Sequence, residues 1–173
     1  PLSDVAEINP RNPNPIPSDS DTVSFVPMSA VEEESGRLDA SQTRTWSEVR
    51  RGYTRFQEND VLLAKITPCM ENGKFAIARK LHGGVGAGST EFHVLRANPV
   101  RLIPEWLLHF MLQQSIRQAA RAVMAGAVGQ QRVPSHYLNE LVVPVAPLAE
   151  QRSIVSTIET NFSQLDAAIG SLE

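Results

Sequence analysis

The C-terminal segment, residues 148–173, carries the sequence pattern that most restricts how this chain can fold. Large apolar side chains recur there at alternating steps of three and four residues from Val155, and Leu148 lies one heptad earlier. They are Val155, Ile158, Phe162, Leu165, Ile169 and Leu172. This spacing predicts a helix, roughly 39 Å long at ~1.5 Å per residue, with an a/d seam for a second helix. The alternative is an amphipathic helix packed on its own domain. Strict 3.5-residue spacing favours the seam, and the second helix would come from another chain or from a missing second half.

The preceding residues, 1–146, predict one domain of ordinary size. A proline-rich strap at 10–17 follows an opening turn for which Ser3 is the expected cap. Apolar and β-branched runs predict strands at 22–28, 60–66, 75–81, 90–96 and 141–145.

Helical patterns predict a short helix pair between the fourth and fifth of these strands. One helix begins at Pro104 and Glu105, and the next covers 115–126, with Ser115 as cap and Gly126 as stop. The glycine-rich run 83–89 is expected to be a flexible turn. Strands followed by helices indicate an α+β domain with a mixed or antiparallel sheet and a short helix pair, and then a long coiled-coil-type helix. We therefore expect two units, a domain over 1–146 and a spacer helix over 147–173.

Composition limits the setting of the protein. The single cysteine, Cys69, allows no internal disulfide, so a reducing cytoplasm is the expected location. No apolar run is long enough to span a membrane, and no signal peptide is recognisable. Because the chain begins Pro-Leu-Ser and ends inside a heptad, we expect it to be a processed or excised piece.

Charge is unevenly distributed along the chain, although the net charge is only −3. Residues 1–36 carry −6, residues 133–173 carry −4, and residues 37–132 carry +7. This distribution is compatible with a positive face for a polyanion such as nucleic acid. Chance clustering on a solvated surface is the competing interpretation.

Motifs for catalysis are absent from the sequence. "GGVGAGST" has no Gly-Lys-Ser/Thr ending and leads into a strand pattern, which argues against a phosphate loop. The four histidines and Cys69 show no metal-ligand spacing, and Cys69 is expected to be a free thiol. No nucleophile elbow or nuclease Asp/Glu-x-Lys tripeptide occurs. We therefore expect no enzymatic activity, no metal and no cofactor.

Three stretches in sequence resemble the specificity subunit of type I restriction–modification systems. They are "GAGSTEFHVLR", "IPEWLLHFMLQQ" and "GAVGQQRVPSHYLNELVVPVAPLAEQRSIVSTIE". The last contains a Gly-x-x-Gly-Gln-x-Arg turn and a Pro-Leu-x-Glu-Gln-Arg helix start. "DVLLAKITPCMENGKFAIA" is similar to the strand–loop–strand of such domains. The resemblance covers nearly the whole chain, as one target recognition domain and the start of the conserved helix that follows it.

The resemblance implies a non-catalytic DNA-reading subunit. It would recognise one half of a split sequence in double-stranded DNA and dock methyltransferase (M) subunits, with a restriction (R) subunit in the full complex. The helix would pair with a second recognition domain or a second copy of the chain. Two other functions stay open: the recognition domain of a fused adenine methyltransferase or restriction–methylation enzyme, and a coiled-coil adaptor with no DNA role.

Side chains suited to phosphates and base edges occur in three expected loops and in one surface stretch. The candidate DNA-binding residues are Arg44, Arg50, Arg51, Lys65, Thr67, Asn72, Lys74, Ser89, Thr90, Gln130, Gln131 and Arg132. For each of them, surface polarity or loop capping is an alternative role. Gln130 and Arg132 belong to a turn of the shared scaffold, so a structural role is a particular alternative there.

Overall fold

A computed structural model describes residues 1–170 of the chain. These residues contain eight strands, in the order β1 (Ala6–Ile8), β2 (Thr22–Val26), β3 (Thr43–Thr45), β4 (Thr54–Gln57), β5 (Val61–Ala64), β6 (Phe75–Ile77), β7 (Val85–Gly88) and β8 (Phe92–Ala97). The α-helices are α1 (Trp46–Val49), α2 (Pro104–Leu112), α3 (Gln114–Ala122), α4 (Ser135–Glu140) and α5 (Leu148–Gly170). This is the α+β architecture that the sequence predicts, including the helix pair and the long C-terminal helix.

The strands form two four-stranded sheets rather than one. The first has the order β1-β8-β5-β6 and is antiparallel throughout. The second has the order β3-β2-β7-β4 and is mixed, because β2 and β7 run parallel. The ends of β2, β5 and β7 and the starts of β4, β6 and β8 therefore lie at one end of the domain.

Apolar side chains on both sheets and the helices form the core. The main cluster joins Leu63, Phe75 and Leu95 of the first sheet to Leu107 of α2 and Leu138 of α4. A second cluster fills the space between the sheets, and a third lies beneath α1 on the outer face of the second sheet. Burial of such side chains stabilises the fold by about 1.5–3 kcal/mol each.

The expected flexible turn at 83–89 is wrong, because most of it is the buried strand β7. Its glycines serve close packing. A Cβ on Gly86 would stand 2.2 Å from Phe56 Cε2, and one on Gly88 would stand 2.1 Å from the Val26 carbonyl oxygen. Glycine therefore occupies these positions because no larger residue fits between β2 and β4.

The expected strand at 141–145 is also wrong. The chain forms α4 just before it and then crosses the surface without joining a sheet. Two of its backbone carbonyls accept isolated hydrogen bonds instead of forming a ladder. The Leu2 N–H donates to the Leu141 carbonyl (2.8 Å), and the Trp106 Nε1–H donates to the Pro144 carbonyl (2.8 Å). Pro144 and Pro147 lack the N–H that a strand ladder needs.

The helix-cap expectations also need correction. Ser3 makes no capping bond in the opening 3₁₀ turn, whose first residue is Leu2. Helix α3 is preceded by Gln113, so Ser115 lies inside the helix, and it ends at Ala122, before Gly126. Local propensity alone does not fix helix ends to the residue.

Candidate nucleic-acid interface

Three loop segments that the sequence analysis singled out meet at one end of the two sheets. We call residues 65–74, 89–91 and 130–133 the loop end. Backbone bonds join them: the Lys65 N–H donates to the Glu91 carbonyl (2.9 Å), and the Thr67 N–H donates to the Gln131 carbonyl (3.0 Å). The Val133 N–H donates to the Lys65 carbonyl at 2.9 Å. Segments distant in sequence thus form one continuous surface.

Arg132 holds the loop end together through its contact with Glu91. Its Nε and Nη2 donate to the two carboxylate oxygens of Glu91 at 2.9 and 2.7 Å, and its Nη1 donates to the Gln130 carbonyl. This bidentate pair lowers the pKa of the Glu91 carboxyl below its usual range. All three guanidinium nitrogens are engaged, so Arg132 serves to shape the turn.

His93 makes a second link to the same turn. Its ring is buried; Nε2 lies 2.7 Å from the Val133 carbonyl, and Nδ1 lies 3.0 Å from the Asn9 amide nitrogen. Asn9 Oδ1 accepts the Val94 N–H, so the Asn9 amide donates to Nδ1 and the proton sits on Nε2. Burial lowers the pKa of His93 and so favours the neutral ring.

Three other predicted residues of the loop end are also bonded within the fold. Thr67 donates its hydroxyl to Glu71, and Asn72 donates its amide to Glu33 at 2.9 Å. Ser89 accepts the Glu91 N–H through its hydroxyl. By contrast, Thr90 and Gln130 are exposed and Gln131 is half-buried, and no hydrogen bond of their side chains is found among residues 1–170.

The predicted arginines of the 44–51 stretch lie on the outer face of the second sheet, beside the loop end rather than in it. The Arg44 guanidinium carbon stands 5.3 Å from the centre of the Phe25 ring. Arg50 pairs with Asp19 at 3.4 Å, whereas Arg51 is exposed. The two regions adjoin at Ser89, whose N–H donates to the Val26 carbonyl.

Phe25 and Arg55, which the sequence analysis did not single out, complete this face. Phe25 makes an edge-to-face contact with Tyr53, with ring centres 5.2 Å apart. Arg55 pairs in register with Ala87, as Phe25 does, so Arg55 and Phe25 are on the same face. The sequence analysis treated 22–28 only as a strand, and no sequence signal marks the contact between Phe25 and Tyr53.

Unpaired positive charge is concentrated on these two neighbouring surfaces. Within the described part of the chain, ion pairs engage Arg50 and Arg132 of the predicted set, as well as several arginines elsewhere. The cations of this region that form no such pair with residues 1–170 are Arg44, Arg51, Arg55, Lys65 and Lys74. We call these five cations the positive surface; they share this margin of the domain with the carboxylates of Glu71 and Glu91. Among residues 1–170 no group of His, Cys, Asp or Glu side chains is arranged to hold a metal ion.

Helix α5 begins beside the start of α2, at the end of the domain opposite the loop end. Val155 is buried and packs with its own domain, and Ile158 is half-buried. Phe162, Leu165 and Ile169 are exposed, at 57%, 54% and 52%. The predicted seam residue Leu172 lies outside the described residues. No helix within 1–170 combines the length and apolar character needed to cross a membrane.

The family model described as type I restriction modification DNA specificity domain matches residues 1–170. The chain therefore belongs to this family.

Particular relatives agree with that assignment. The chain is 37% identical to the type I restriction enzyme EcoEI specificity subunit of Escherichia coli, over 95% of this chain and 27% of that protein. It is 34% identical to the EcoAI specificity subunit of the same organism, over 99% of this chain and 28% of that protein. The chain thus spans little more than a quarter of these relatives. The solved HsdS subunit from Thermoanaerobacter tengcongensis has the same fold, with a TM-score of 0.74 at 22% identity, over 96% of this chain and 42% of that one.

Proposed function

We propose that this chain is one DNA-reading unit of a type I restriction–modification specificity subunit and carries out no chemistry itself. The observation that carries the proposal is the group of unpaired cations beside accessible aromatic rings, on a chain whose whole described length belongs to this family. Its place of action is the cytoplasm, where cellular DNA is accessible. The domain division at 146/147 is part of the proposal.

Affinity comes from the positive surface. Arg44, Arg51, Lys65 and Lys74, with the added Arg55, contact phosphate oxygens and release counterions, which supplies most of the binding free energy to any duplex. Their charges are available because none of them forms an ion pair with a carboxylate of residues 1–170. These contacts position the domain and carry no sequence information.

Base reading comes from polar side chains whose hydrogen-bonding groups have no partner, or capacity to spare, among residues 1–170. Thr90, Gln130 and Gln131 fit this role, because Gln can bond adenine bidentately and a Thr hydroxyl can donate or accept. Each good contact discriminates by about 1–3 kcal/mol. Ser89, which keeps donor capacity after accepting the Glu91 N–H, belongs to the same group.

Four other predicted DNA-binding residues shape the surface instead. Arg50, Thr67, Asn72 and Arg132 already bond acidic side chains of this chain. Using them on DNA would require breaking those bonds, and each loss would leave a carboxylate without its partner. We therefore assign them to loop geometry.

The exposed part of α5 joins this unit to the rest of the complex. Phe162, Leu165 and Ile169 form a helix–helix seam with a second recognition unit or a second copy of the chain, and Val155 and Ile158 anchor its base. The resulting pair docks methyltransferase subunits, and through them the restriction subunit. This chain contributes recognition of the DNA target, and the partners contribute methylation and cleavage.

Exchange of the domain tests this function directly. The full-length protein that contains this chain is produced with its methyltransferase subunit, and the methylated sites of host DNA are mapped. We expect a bipartite motif, and replacement of residues 1–146 by the matching region of the EcoEI relative should change one half only. Absence of any methylated motif, or a motif unaffected by the exchange, would contradict the proposal.

A further inference from the structure

Gln151, in the first turn of α5, is fully buried and bonds three separate backbone groups. Its Nε2 donates to the carbonyls of Arg101 (2.8 Å) and Ala146 (2.7 Å), and its Oε1 accepts the Ile103 N–H (3.1 Å). Ile103 is the residue immediately before α2. One side chain therefore ties the start of α5 to the start of α2 and to the segment that leads into α5.

The chemistry of this position requires an amide. Two donors and one acceptor are needed at one point, and Gln is the side chain of that length that supplies both. Loss of the side chain would break three part-buried hydrogen bonds and leave two carbonyls and one N–H without this partner, which costs stability. The bonds also fix the amide in three directions, so the base of the helix cannot rotate without breaking them.

Beyond its base, the side chains of α5 are exposed. Val155 is buried one turn after Gln151, but every residue over 159–170 is exposed. Ala167 lies sixteen residues beyond Gln151, about 24 Å along the axis at ~1.5 Å per residue. A tilt of ~10° at the base would displace Ala167 by roughly 4 Å, which exceeds the ~3.4 Å rise of one base pair.

We propose that Gln151 is a positioning residue that sets the direction of α5 and thereby the spacing between the two half-sites that the assembled subunit reads. This inference rests on the proposed function, since spacing has meaning only for a bipartite target. The geometric part, that the three bonds hold the helix in one direction, stands without DNA.

Distance measurement tests the geometric part in the full-length protein. Nitroxide labels are attached by Ser115→Cys and Ala167→Cys in a Cys69→Ala background, since both sites are exposed, and double electron–electron resonance gives the distance distribution. The wild-type protein should give one narrow distance. Gln151→Met, similar in size but without the bonds, should shift or broaden it by about 4 Å, the displacement of a ~10° tilt. The control is Arg152→Gln, because Arg152 is exposed and has no bonded partner among residues 1–170.

Methylation mapping tests the functional part with the same variants. In the complex that contains Gln151→Met, the methylated half-sites should lie one base pair closer or farther apart than the native spacing. Both half-site sequences should stay unchanged. Gln151→Glu keeps the acceptor and loses both donors, and should give the same relaxation if Gln151→Met does not fold.

The outcomes distinguish the geometric part of the inference from the functional part. A broad distance distribution in the wild-type protein overturns the inference without any variant. A distance distribution that both Gln151 variants leave unchanged also overturns it. A changed distance with a strictly native spacing overturns the functional part. If the wild-type protein yields no bipartite motif, the proposed function fails, while the distances still decide whether Gln151 fixes the helix.

Discussion

Replacement of Lys65 by Gln removes one positive charge from the loop end without removing a bond that holds it. The Lys65 side chain is half-buried and makes no ion pair with residues 1–170, and its links to Glu91 and Val133 are backbone bonds that survive the change. Folding should therefore be preserved, and DNA binding should lose one phosphate contact.

The magnitude follows from the five unpaired cations of the interface. Each phosphate contact contributes about −0.9 to the slope of log K against log salt, so this chain's share is about −4.5. Between 50 and 200 mM salt this share lowers the affinity by roughly 500-fold, and by roughly 150-fold after Lys65→Gln, which reduces the share to about −3.6.

Fluorescence anisotropy of a labelled duplex, titrated with the full-length protein at several salt concentrations, measures this slope. The matched control is Lys80→Gln, because Lys80 is exposed and free of ion pairs with residues 1–170 but follows β6 at the opposite end of the sheets. The slope should change for Lys65→Gln and stay constant for Lys80→Gln. Equal slopes for the three proteins, or a change only in the control, would refute the assignment of this surface.

Three further predictions concern the fold that holds the surface. Asp60→Ala should lower the free energy of unfolding in urea by about 3–5 kcal/mol, because Arg96 loses the carboxylate that pairs with it. Asp60 is only 1% exposed and accepts two hydrogen bonds of 2.8 Å from Arg96. Gly86→Ala should cost ~1–3 kcal/mol or prevent folding, because its Cβ would overlap the buried Phe56 ring. Acidification below about pH 6.5 should lower stability, because unfolded His93 takes up a proton that the buried ring, with its lowered pKa, resists; His93→Gln should reduce this dependence.

Matched variants serve as controls for these three measurements. Glu32→Ala breaks the exposed pair with Arg37 and should change stability by less than ~1 kcal/mol. Gly170→Ala, where no atom lies near the added carbon, should leave stability almost unchanged. Burial also lowers the pKa of His109, so some acid dependence should persist in His93→Gln. Equal acid dependence in the wild-type protein and His93→Gln, or equal costs for Asp60→Ala and Glu32→Ala, would contradict these assignments.

Much of the candidate site was predictable from residue type, whereas its assembly was not. The sequence marked 67–74, 89–90 and 130–132 as loops with side chains suited to DNA, and the fold does bring them together. It did not show that Arg132 is bound through two guanidinium nitrogens by Glu91, or that Asn72 is held by Glu33. Such pairings join residues about 40 positions apart, and local patterns contain no information on which side chains meet over that separation.

Features with local physical causes could be read from the residues in order: the long α5 from its heptad spacing, the strands from β-branched runs, and the helix pair from its periodicity and proline start. The folded chain was needed to show that β7 is a buried central strand, since its glycines are required only once Phe56 and the Val26 carbonyl are in place. It was also needed to show which cations stay unpaired and that Gln151 bonds at the base of α5. These features depend on distances between segments far apart in the chain. Those distances are set only when the two sheets and the helices pack together.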